Sequence, residues 1–491
     1  MKAPDRSAPI AEPPGAPTAG AQPLDPDAAT LHAWLASATD YVERHLANLD
    51  AAPSSATEGA AQLAARVAAT PLPAEGRPLD EVIALLDPLI RASLTTPGPG
   101  YLAYIPGGGI PTAAIADLIA CATNRYVTVD LGAPALAELE RTALRRLAEM
   151  MGMPAGANGI FTSGGSLSNL AALVAARADR LGEDFTDGTL YYSADTHACV
   201  AKAARVAGFP GRALREVPVD ERRRLRVDAL ARMIEEDRAA GRRPFCVVAN
   251  AGTTNTGAID PLPEILERAR AHGLWAHVDG AYGGLFRIAE GGDALLPRLG
   301  EFDSLTLDPH KCLFLPYGTG ALLVRDPETL RHAHAATASY LQDVTQDAPL
   351  GWTDYSPELS RDFRGLRVWL PFMVHGVDAF RAQLTEKLAL TRWAHERLAA
   401  EPLFDIYDAP QLSVIAFSAR PPAGHRLDAN AFSAEVLRRV NARKRVFMSS
   451  TTIDGRYLLR ICVVSFRTHA DRMRDAVSGL IEEARALAAG G

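Results

Sequence analysis

Short apolar runs alternate with amphipathic stretches along the middle of the chain, from about residue 158 to residue 325. Runs such as 245–249 and 275–278 are mostly apolar and stop at polar or glycine residues, a pattern typical of strands buried on both faces. The stretches between them have the length and the apolar spacing of helices. The alternation predicts an α/β domain with a mostly parallel sheet and helices on both of its faces.

The N-terminal part of the chain has a different pattern. Residues 1–28 are rich in Ala, Pro, Gly and Asp, a composition that predicts a disordered tail. Residues 29–100 contain amphipathic stretches and predict an N-terminal helical segment. We expect the large domain to span residues 101–370 and to begin with a Gly/Pro-rich loop at 101–109.

The C-terminal part predicts a second, smaller domain at residues 371–491. A long helical stretch after Pro371 is followed by two strand-like runs at 412–417 and 457–464. Helical patterns flank these runs near 429–442 and 469–488. The order of elements predicts a small α/β domain.

Composition narrows the possible settings and partners. The chain has 491 residues, 48% of them hydrophobic, and a formal net charge of −7, which argues against a nucleic-acid partner. It has no apolar stretch near eighteen residues and no apolar N-terminal signal core, so we expect no membrane association and a cytoplasmic location. Its five scattered cysteines form no Cys-x-x-Cys pair, which predicts a reducing compartment and no metal site.

Lys311 is the first candidate for chemistry. It is one of five lysines among 51 lysines and arginines, and it lies between a strand-like run and the glycine-bearing segment 315–320. Burial and cationic neighbours can lower the pKa of a lysine, and the free amine then attacks carbonyl groups to form a Schiff base. For a lysine taken alone, a salt-bridged structural role is more common.

Asp279 ends the strand-like run that begins at Trp275, thirty-two residues before Lys311. Ligands of open α/β sheets bind beyond the carboxyl ends of the strands. A carboxylate there can pair with the protonated pyridine nitrogen of pyridoxal phosphate. Taken alone, an aspartate that caps a turn is the better interpretation. The spacing to Lys311 favours the cofactor site instead.

Three further turns follow strand-like runs. Gly165 and Ser166 stand at a helix start, where free backbone N–H groups bind phosphate, although an ordinary N-cap at Ser166 or Ser168 is the simpler alternative. His197 starts another helix and could stack on a cofactor ring or bond only to backbone. The run at 251–254 ends in two threonines, whose hydroxyls could reach a ring substituent or cap a turn.

The order of these motifs resembles that of the group II pyridoxal-phosphate decarboxylases. The matching segments are Ser-Gly-Gly-Ser at 163–166, Asp-Thr-His at 195–197, Ala-Gly-Thr-Thr at 251–254, His-Val-Asp-Gly-Ala-Tyr at 277–282 and Asp-Pro-His-Lys at 308–311. The resemblance runs from about residue 31 to near the C-terminus. It implies the aminotransferase-like fold type I, pyridoxal 5′-phosphate as cofactor, an amino-acid substrate and a homodimer with the active site at the interface.

The resemblance also implies roles for individual residues. Lys311 would hold the cofactor as an internal aldimine, and Asp279 would pair with the pyridine nitrogen. His197 would stack on one face of the ring and Ala281 would pack on the other. The remaining expected cofactor contacts are Thr254 near the ring hydroxyl, Gly165, Ser166 and His310 on the phosphate side, and Ser360, reaching the phosphate of the partner subunit.

Tyr340 matches the tyrosine of a mobile loop that returns a proton to Cα after carbon dioxide leaves. Relatives that oxidise the amine to an aldehyde tend to carry phenylalanine there, so Tyr340 favours plain decarboxylation. The segment with Tyr104, Ile105 and Gly107 matches a loop that lines the substrate pocket in relatives. Asp308 departs from the asparagine of many relatives, and an acid near a phosphate is repulsive unless it turns away or pairs with an arginine.

The expected function is decarboxylation of an L-amino acid, with an aromatic or other apolar side chain favoured, to the amine and carbon dioxide. A lyase, an aminotransferase or an amine-oxidising decarboxylase on the same scaffold is the alternative within the cofactor class. A non-catalytic, cofactor-binding assembly module is the alternative outside it, and the joint presence of the catalytic residues speaks against it.

Overall fold

A computed structural model describes residues 24–335 and 351–490. Most of the predicted disordered tail at 1–28 therefore lies outside the described residues. The chain divides into two compact units, Met1–Ala51 with Ser55–Leu94, and Ala52–Ser54 with Thr95–Gly491. No described helix is both long enough and apolar enough to cross a membrane.

The first unit contains three helices, α1 (Ala28–Ala47), α2 (Ala60–Ala69) and α3 (Leu79–Arg91). Helix α1 begins after Asp27, whose side chain accepts a hydrogen bond from the backbone N–H of Thr30 at 2.7 Å and so caps the helix. The Tyr41 hydroxyl donates to Asp87 at 3.3 Å and joins α1 to α3. None of the residues within these three described helices is buried.

The second unit is built on a seven-stranded sheet with the order β2-β8-β7-β6-β5-β3-β4. Neighbours from β4 to β7 are parallel, and β8 is antiparallel to both β2 and β7. These strands are β2 (Asn158–Thr162), β3 (Gly188–Ser193), β4 (Leu214–Val217), β5 (Arg243–Asn250), β6 (Trp275–Asp279), β7 (Ser304–Leu307) and β8 (Gly320–Val324). The mostly parallel α/β sheet predicted from the alternation is confirmed.

Helices cover this sheet and bury its apolar strands in one large core. The helices before β8 are α4 (Pro111–Thr123), α5 (Pro134–Met150), α6 (Gly165–Arg180), α7 (Cys199–Val206), α8 (Val227–Ala239), α9 (Leu262–His272), α10 (Gly292–Leu295) and α11 (Pro309–Cys312). Those described after β8 are α12 (Glu328–His334), α13 (Arg364–His375), α14 (Val377–Ala399), α15 (Ala429–Ala442) and α16 (Ala470–Ala489).

A second sheet of five strands has the order β1-β11-β12-β10-β9. Its strands are β1 (Tyr101–Leu102), β9 (Phe404–Ile406), β10 (Val414–Ala419), β11 (Phe447–Ile453) and β12 (Arg456–Cys462). Strand β1 lies in the segment predicted as a loop, and it pairs in parallel with β11 through Tyr101 and Phe447. Two residues are too few for an alternating pattern, so only the distant partner strand identifies them as a strand.

Candidate active site

Residues that follow the carboxyl ends of β3, β5, β6 and β7 line a cavity of about 590 Å³. Parallel strands place their carboxyl ends at one edge of the sheet, which is where a ligand site is expected. The cavity brings together most of the predicted site residues. Those on its wall are Tyr104, Ile105, Gly165, Ser166, His197, Thr254, Asp279, Ala281, His310 and Lys311.

Lys311 lies in the short helix α11, and its Nζ is 2.8 Å from Oδ2 of Asp308. Burial lowers the pKa of Lys311, but the carboxylates of Asp308 and, more weakly, Asp279 outweigh it and hold that pKa above its ordinary value. The expectation that burial lowers the pKa of this lysine is therefore wrong, because the charge of Asp308 outweighs burial. The reason is the neighbouring acid, which the strand pattern alone does not identify as a partner.

Asp308 does not turn away from the cavity, and it pairs with no arginine of the described ranges 24–335 and 351–490. Its Oδ2 contacts Lys311 and lies 3.7 Å from Nε2 of His310. Its Oδ1 is buried and has no hydrogen-bond partner among the described residues. A side chain on Gly165 would approach Oδ2 to 3.1 Å, so the acid stands directly beside the start of α6. Asp308 thus belongs to the cavity wall and not to the solvent side of the turn.

Asp279 is at the carboxyl end of β6, and both of its carboxylate oxygens accept hydrogen bonds. The backbone N–H of Ala281 donates to Oδ1 at 3.2 Å, and Nδ2 of Asn169 donates to Oδ2 at 3.0 Å. The site therefore contains a buried carboxylate whose orientation is fixed by the turn after β6 and by helix α6.

His197 follows β3 and is exposed within the cavity mouth. Its Nδ1 accepts a hydrogen bond from the backbone N–H of Cys199 at 3.2 Å. A nitrogen that accepts cannot carry the proton, so the neutral ring has its hydrogen on Nε2. The backbone bond is therefore present and the ring lies on the cavity wall, while stacking on a cofactor ring stays a prediction.

Helix α6 begins at Gly165, and its N-cap is Gly164, without a side-chain cap. The alternative of a cap at Ser166 or Ser168 is thus wrong, because both serines lie inside the helix. The hydroxyl of Ser168 is buried and bonds to the hydroxyl of Thr162 at 2.8 Å. The first N–H groups of a helix have no acceptor within it and carry partial positive charge. This helix end can bind a phosphate group at the cavity wall.

His310 lies on the same side of the cavity as this helix start. Its Nδ1 donates to the backbone carbonyl of Thr319 at 2.7 Å, because a carbonyl can only accept. Burial lowers the pKa of His310, and Lys311 also lowers it, while Asp308 opposes both effects. The ring of His310 is therefore neutral. Its Nε2 is the nitrogen that faces Asp308, at 3.7 Å from Oδ2.

Tyrosines and an isoleucine also line the cavity, and one of the tyrosines, Tyr317, has its ring centroid 5.9 Å from that of His310. Tyr104 is 60% exposed and has a φ of 55°, a left-handed backbone conformation that is rare for a large side chain. Ile105, Tyr101 and Tyr317 lie beside it on the cavity wall. A strained, exposed aromatic residue at a cavity mouth is a typical feature of a binding site.

Gly107 does not lie on the cavity wall, although it is part of the same segment. A Cβ atom at this position would be 1.8 Å from the carbonyl oxygen of His310. Only a glycine permits this approach of two backbones. Gly107 thus sets the distance between the segment 104–107 and the helix of Lys311. Direct contact of Gly107 with the substrate stays a prediction.

Besides Gly107, two further predicted residues are not placed in this cavity. Tyr340 lies outside the described residues. Ser360 is described and exposed, but it does not line the cavity of its own chain. Its expected contact with the phosphate of a partner subunit stays a prediction.

The cavity residues that were not identified as functional from the sequence include Asn169, Tyr101 and Tyr317. Asn169 lies one helical turn after Gly165 on α6, and a polar residue in an otherwise apolar helix face could have marked it. Tyr101 and Tyr317 are brought to the cavity by distant parts of the chain, and no local pattern identifies them.

The residues present fit pyridoxal phosphate. The start of α6 offers free N–H groups for a phosphate, Asp279 offers an anion for a ring nitrogen, and Lys311 offers a primary amine for an aldehyde. The volume of about 590 Å³ is within the range of ligand cavities.

Comparisons with known proteins agree with this fit. The family model of the pyridoxal-dependent decarboxylase conserved domain matches residues 64–420. The aromatic-L-amino-acid decarboxylase of Bacillus atrophaeus is 32% identical over 440 residues, which cover 89% of this chain and 92% of that protein. Phenylacetaldehyde synthase of Arabidopsis thaliana is 26% identical over 403 residues, with 79% and 82% covered. The solved structure of Catharanthus roseus tryptophan decarboxylase in complex with L-tryptophan has a TM-score of 0.87 and 25% identity, with 95% of this chain and 100% of that chain covered.

Proposed function

Because the chain belongs to the pyridoxal-dependent decarboxylase family and is a pyridoxal-phosphate-dependent amino-acid decarboxylase, we propose that its substrate is an L-amino acid with an aromatic or other apolar side chain. The products are the amine and carbon dioxide. The observation that carries the proposal is the composition of the cavity. Tyr101, Tyr104, Ile105 and Tyr317 supply its apolar side, and no arginine is among the described residues that line it.

When bound, pyridoxal phosphate supplies the electron sink for the electron pair released as the bond between Cα and the carboxylate breaks. The residues of this chain set the protonation states around it. Asp279 is held by two donors and would keep a ring nitrogen protonated. Asp308 holds a proton on Nζ of Lys311 whenever that amine is free. His197 presents its Nε2–H donor in the cavity mouth.

A substrate screen tests the proposed side-chain preference. We expect kcat/KM for phenylalanine, tyrosine, tryptophan and their hydroxylated analogues to exceed that for aspartate or glutamate by about a hundredfold or more, because an acidic side chain would be desolvated without a cationic partner. Carbon dioxide release from the twenty amino acids and from diamino analogues measures this. Equal efficiency with glutamate would refute the aromatic preference while leaving the decarboxylase activity intact.

A second candidate reaction is oxidation of the amine to an aldehyde, as the name of the related phenylacetaldehyde synthase suggests for that protein. We propose plain decarboxylation, because position 340 is a tyrosine, which can return a proton to Cα. The same screen separates the two reactions when the products are identified by mass and oxygen consumption is followed. An aldehyde formed with uptake of oxygen would establish the second reaction.

The Asp308→Asn variant tests the pairing with Lys311. A lysine whose pKa is raised stays protonated to higher pH, so in the wild type the free amine that reacts with the cofactor aldehyde appears only as the pH rises. Removal of the Asp308 charge is expected to shift this rise to lower pH. Stopped-flow absorbance after mixing cofactor-free protein with pyridoxal phosphate, between pH 6 and pH 10, gives the profile. A profile with an unchanged midpoint would contradict the coupling.

We also propose a homodimer in a reducing, cytoplasmic setting. Helices α1, α2 and α3 are amphipathic but bury none of their described residues, and Leu31, Leu35, Leu85 and Leu86 are among their exposed side chains. Exposed apolar faces of this kind are typical of subunit interfaces. All five cysteines are free thiols, which agrees with a reducing compartment.

A further inference from the structure

A row of buried polar side chains ends at Asp279. Trp275, His277 and Asp279 alternate along β6 and therefore share one face of the sheet. On the neighbouring strand β7, Ser304 is opposite His277 and Thr306 is opposite Asp279. All five side chains belong to residues that are at most 7% exposed, so each polar atom needs a partner within the protein.

The first half of this row has a fixed direction. The indole Nε1 of Trp275 donates to Oγ of Ser304 at 2.8 Å, and an indole N–H can only donate. Ser304 accepts that bond, and its Oγ is 2.7 Å from Nδ1 of His277. Burial lowers the pKa of His277 to about 4, so the ring is neutral at pH 7. Its Nε2 faces the amide oxygen of Asn169, which can only accept, so the one ring hydrogen is on Nε2 and Nδ1 accepts from Ser304.

The second half runs through Asn169 of helix α6. The Nε2–H of His277 and the hydroxyl of Thr306 both donate to Oδ1 of Asn169, each at 2.8 Å. With its oxygen occupied, the amide faces Oδ2 of Asp279 with its Nδ2 at 3.0 Å. A reversed amide would place oxygen against a carboxylate and NH₂ against two donors. This one orientation of Asn169 thus matches both the carboxylate on one side and the donors of the row on the other.

We infer, on the basis of the proposed role of Asp279, that Asn169 and His277 are positioning residues that keep the Asp279 carboxylate aimed at the ring nitrogen of the cofactor. Asn169 acts on Asp279 directly, and His277 acts by keeping the amide in its donating orientation. Within the described part of the chain, the other oxygen of Asp279 accepts the longer bond from Ala281, at 3.2 Å. Loss of the Asn169 donor therefore removes the shorter of the two bonds to the carboxylate.

The measurement is the preference of the cofactor-free, full-length protein for pyridoxal phosphate over an analogue in which a C–H group replaces the ring nitrogen. Fluorescence titration gives both dissociation constants. The dissociation constant of the analogue divided by that of pyridoxal phosphate reports the interaction of the ring nitrogen with Asp279 and does not depend on turnover. We expect Asn169→Leu and His277→Leu to reduce this ratio roughly tenfold or more, the size of a lost hydrogen bond to a charged group. Asn169→Ala repeats the first test with a smaller side chain, should the leucine not fit.

Two control variants separate positioning from general stability. His277→Gln retains a donor for Asn169 and an acceptor for Ser304, and it should keep most of the preference. Asn441→Ala removes a distant amide that bonds to both backbone groups of Met448, at 2.9 and 3.0 Å, and it should lower the melting temperature without changing the ratio.

The outcomes distinguish this inference from the proposed function. An Asp279→Ala variant that loses the preference, with Asn169 and His277 variants that keep the full wild-type ratio, would overturn the positioning role alone. An Asp279→Ala variant with an unchanged ratio would overturn the proposed pairing of Asp279, and the positioning role with it. A reduced ratio in Asn169→Ala or Asn169→Leu and in His277→Leu, together with retention in His277→Gln, establishes the positioning role.

Discussion

Replacement of Lys311 by alanine is expected to abolish the yellow absorbance of the lysine-bound cofactor and to lower turnover at least about a thousandfold. The described residues on the cavity wall include no other lysine, and the amine is held at 2.8 Å from Asp308. An arginine at this position could not replace it either, because a guanidinium remains protonated and does not form the same bond. Absorbance spectra of the purified variant and carbon dioxide release in the presence of added pyridoxal phosphate measure the two effects.

Lys202 provides the matched control. It is exposed on helix α7 and does not line the cavity, so Lys202→Ala should leave the spectrum and the turnover unchanged. If Lys311→Ala retained the yellow band, the covalent role would belong to another residue. If both variants lost the band, the effect would have to be ascribed to folding and not to chemistry.

Replacement of Asp279 by alanine is expected to lower kcat by about a hundred- to a thousandfold, the effect of removing one preorganised electrostatic partner. It should also weaken cofactor binding, because the ring nitrogen loses its anion. The reason lies in the geometry of β6, which ends with this carboxylate on the cavity wall and two donors fixed on it. Steady-state kinetics at saturating cofactor separate the loss of kcat from the loss of affinity.

Asp237 is a suitable control for this variant. It is 2% exposed, accepts a hydrogen bond from Tyr191 at 2.7 Å and forms an ion pair with Arg215 at 2.9 Å, away from the cavity. Asp237→Ala removes a buried, paired acid and should lower the melting temperature while cofactor affinity remains at the wild-type value. An equal loss of affinity in both variants would mean that Asp279 contributes only to the stability of the fold.

Much of the fold was predictable because its signals are local. The apolar run that ends at Asp279 and the helix that begins at Gly165 each follow from about a dozen neighbouring residues. The parallel order follows from strands that alternate with helices. Strands β9 and β11 were missed, since β9 has only three residues and β11 exposes polar positions at its second half. Their pairing with distant strands decides their structure.

The candidate site was predictable to the extent that its residues occur at the ends of such elements. Lys311, Asp279 and His197 follow strands, and the carboxyl edge of a parallel sheet collects them in one cavity. The tyrosines on the cavity wall were less predictable. Tyr317 and Tyr101 reach the cavity from separate segments, and their contribution depends on how the loops fold back over the sheet edge.

The sequence by itself determined the fold class and the family and brought forward Lys311, Asp279 and His197 as candidate site residues, because each of these depends on periodicity, on short motifs or on their order along the chain. Only the tertiary structure decided the protonation of Lys311, which depends on the distance to Asp308 and on burial. It alone also decided the part played by Asn169, whose partners His277, Asp279 and Thr306 are more than a hundred residues away. Charge and hydrogen-bond direction are set by distances between atoms, and those distances arise only when remote segments pack together.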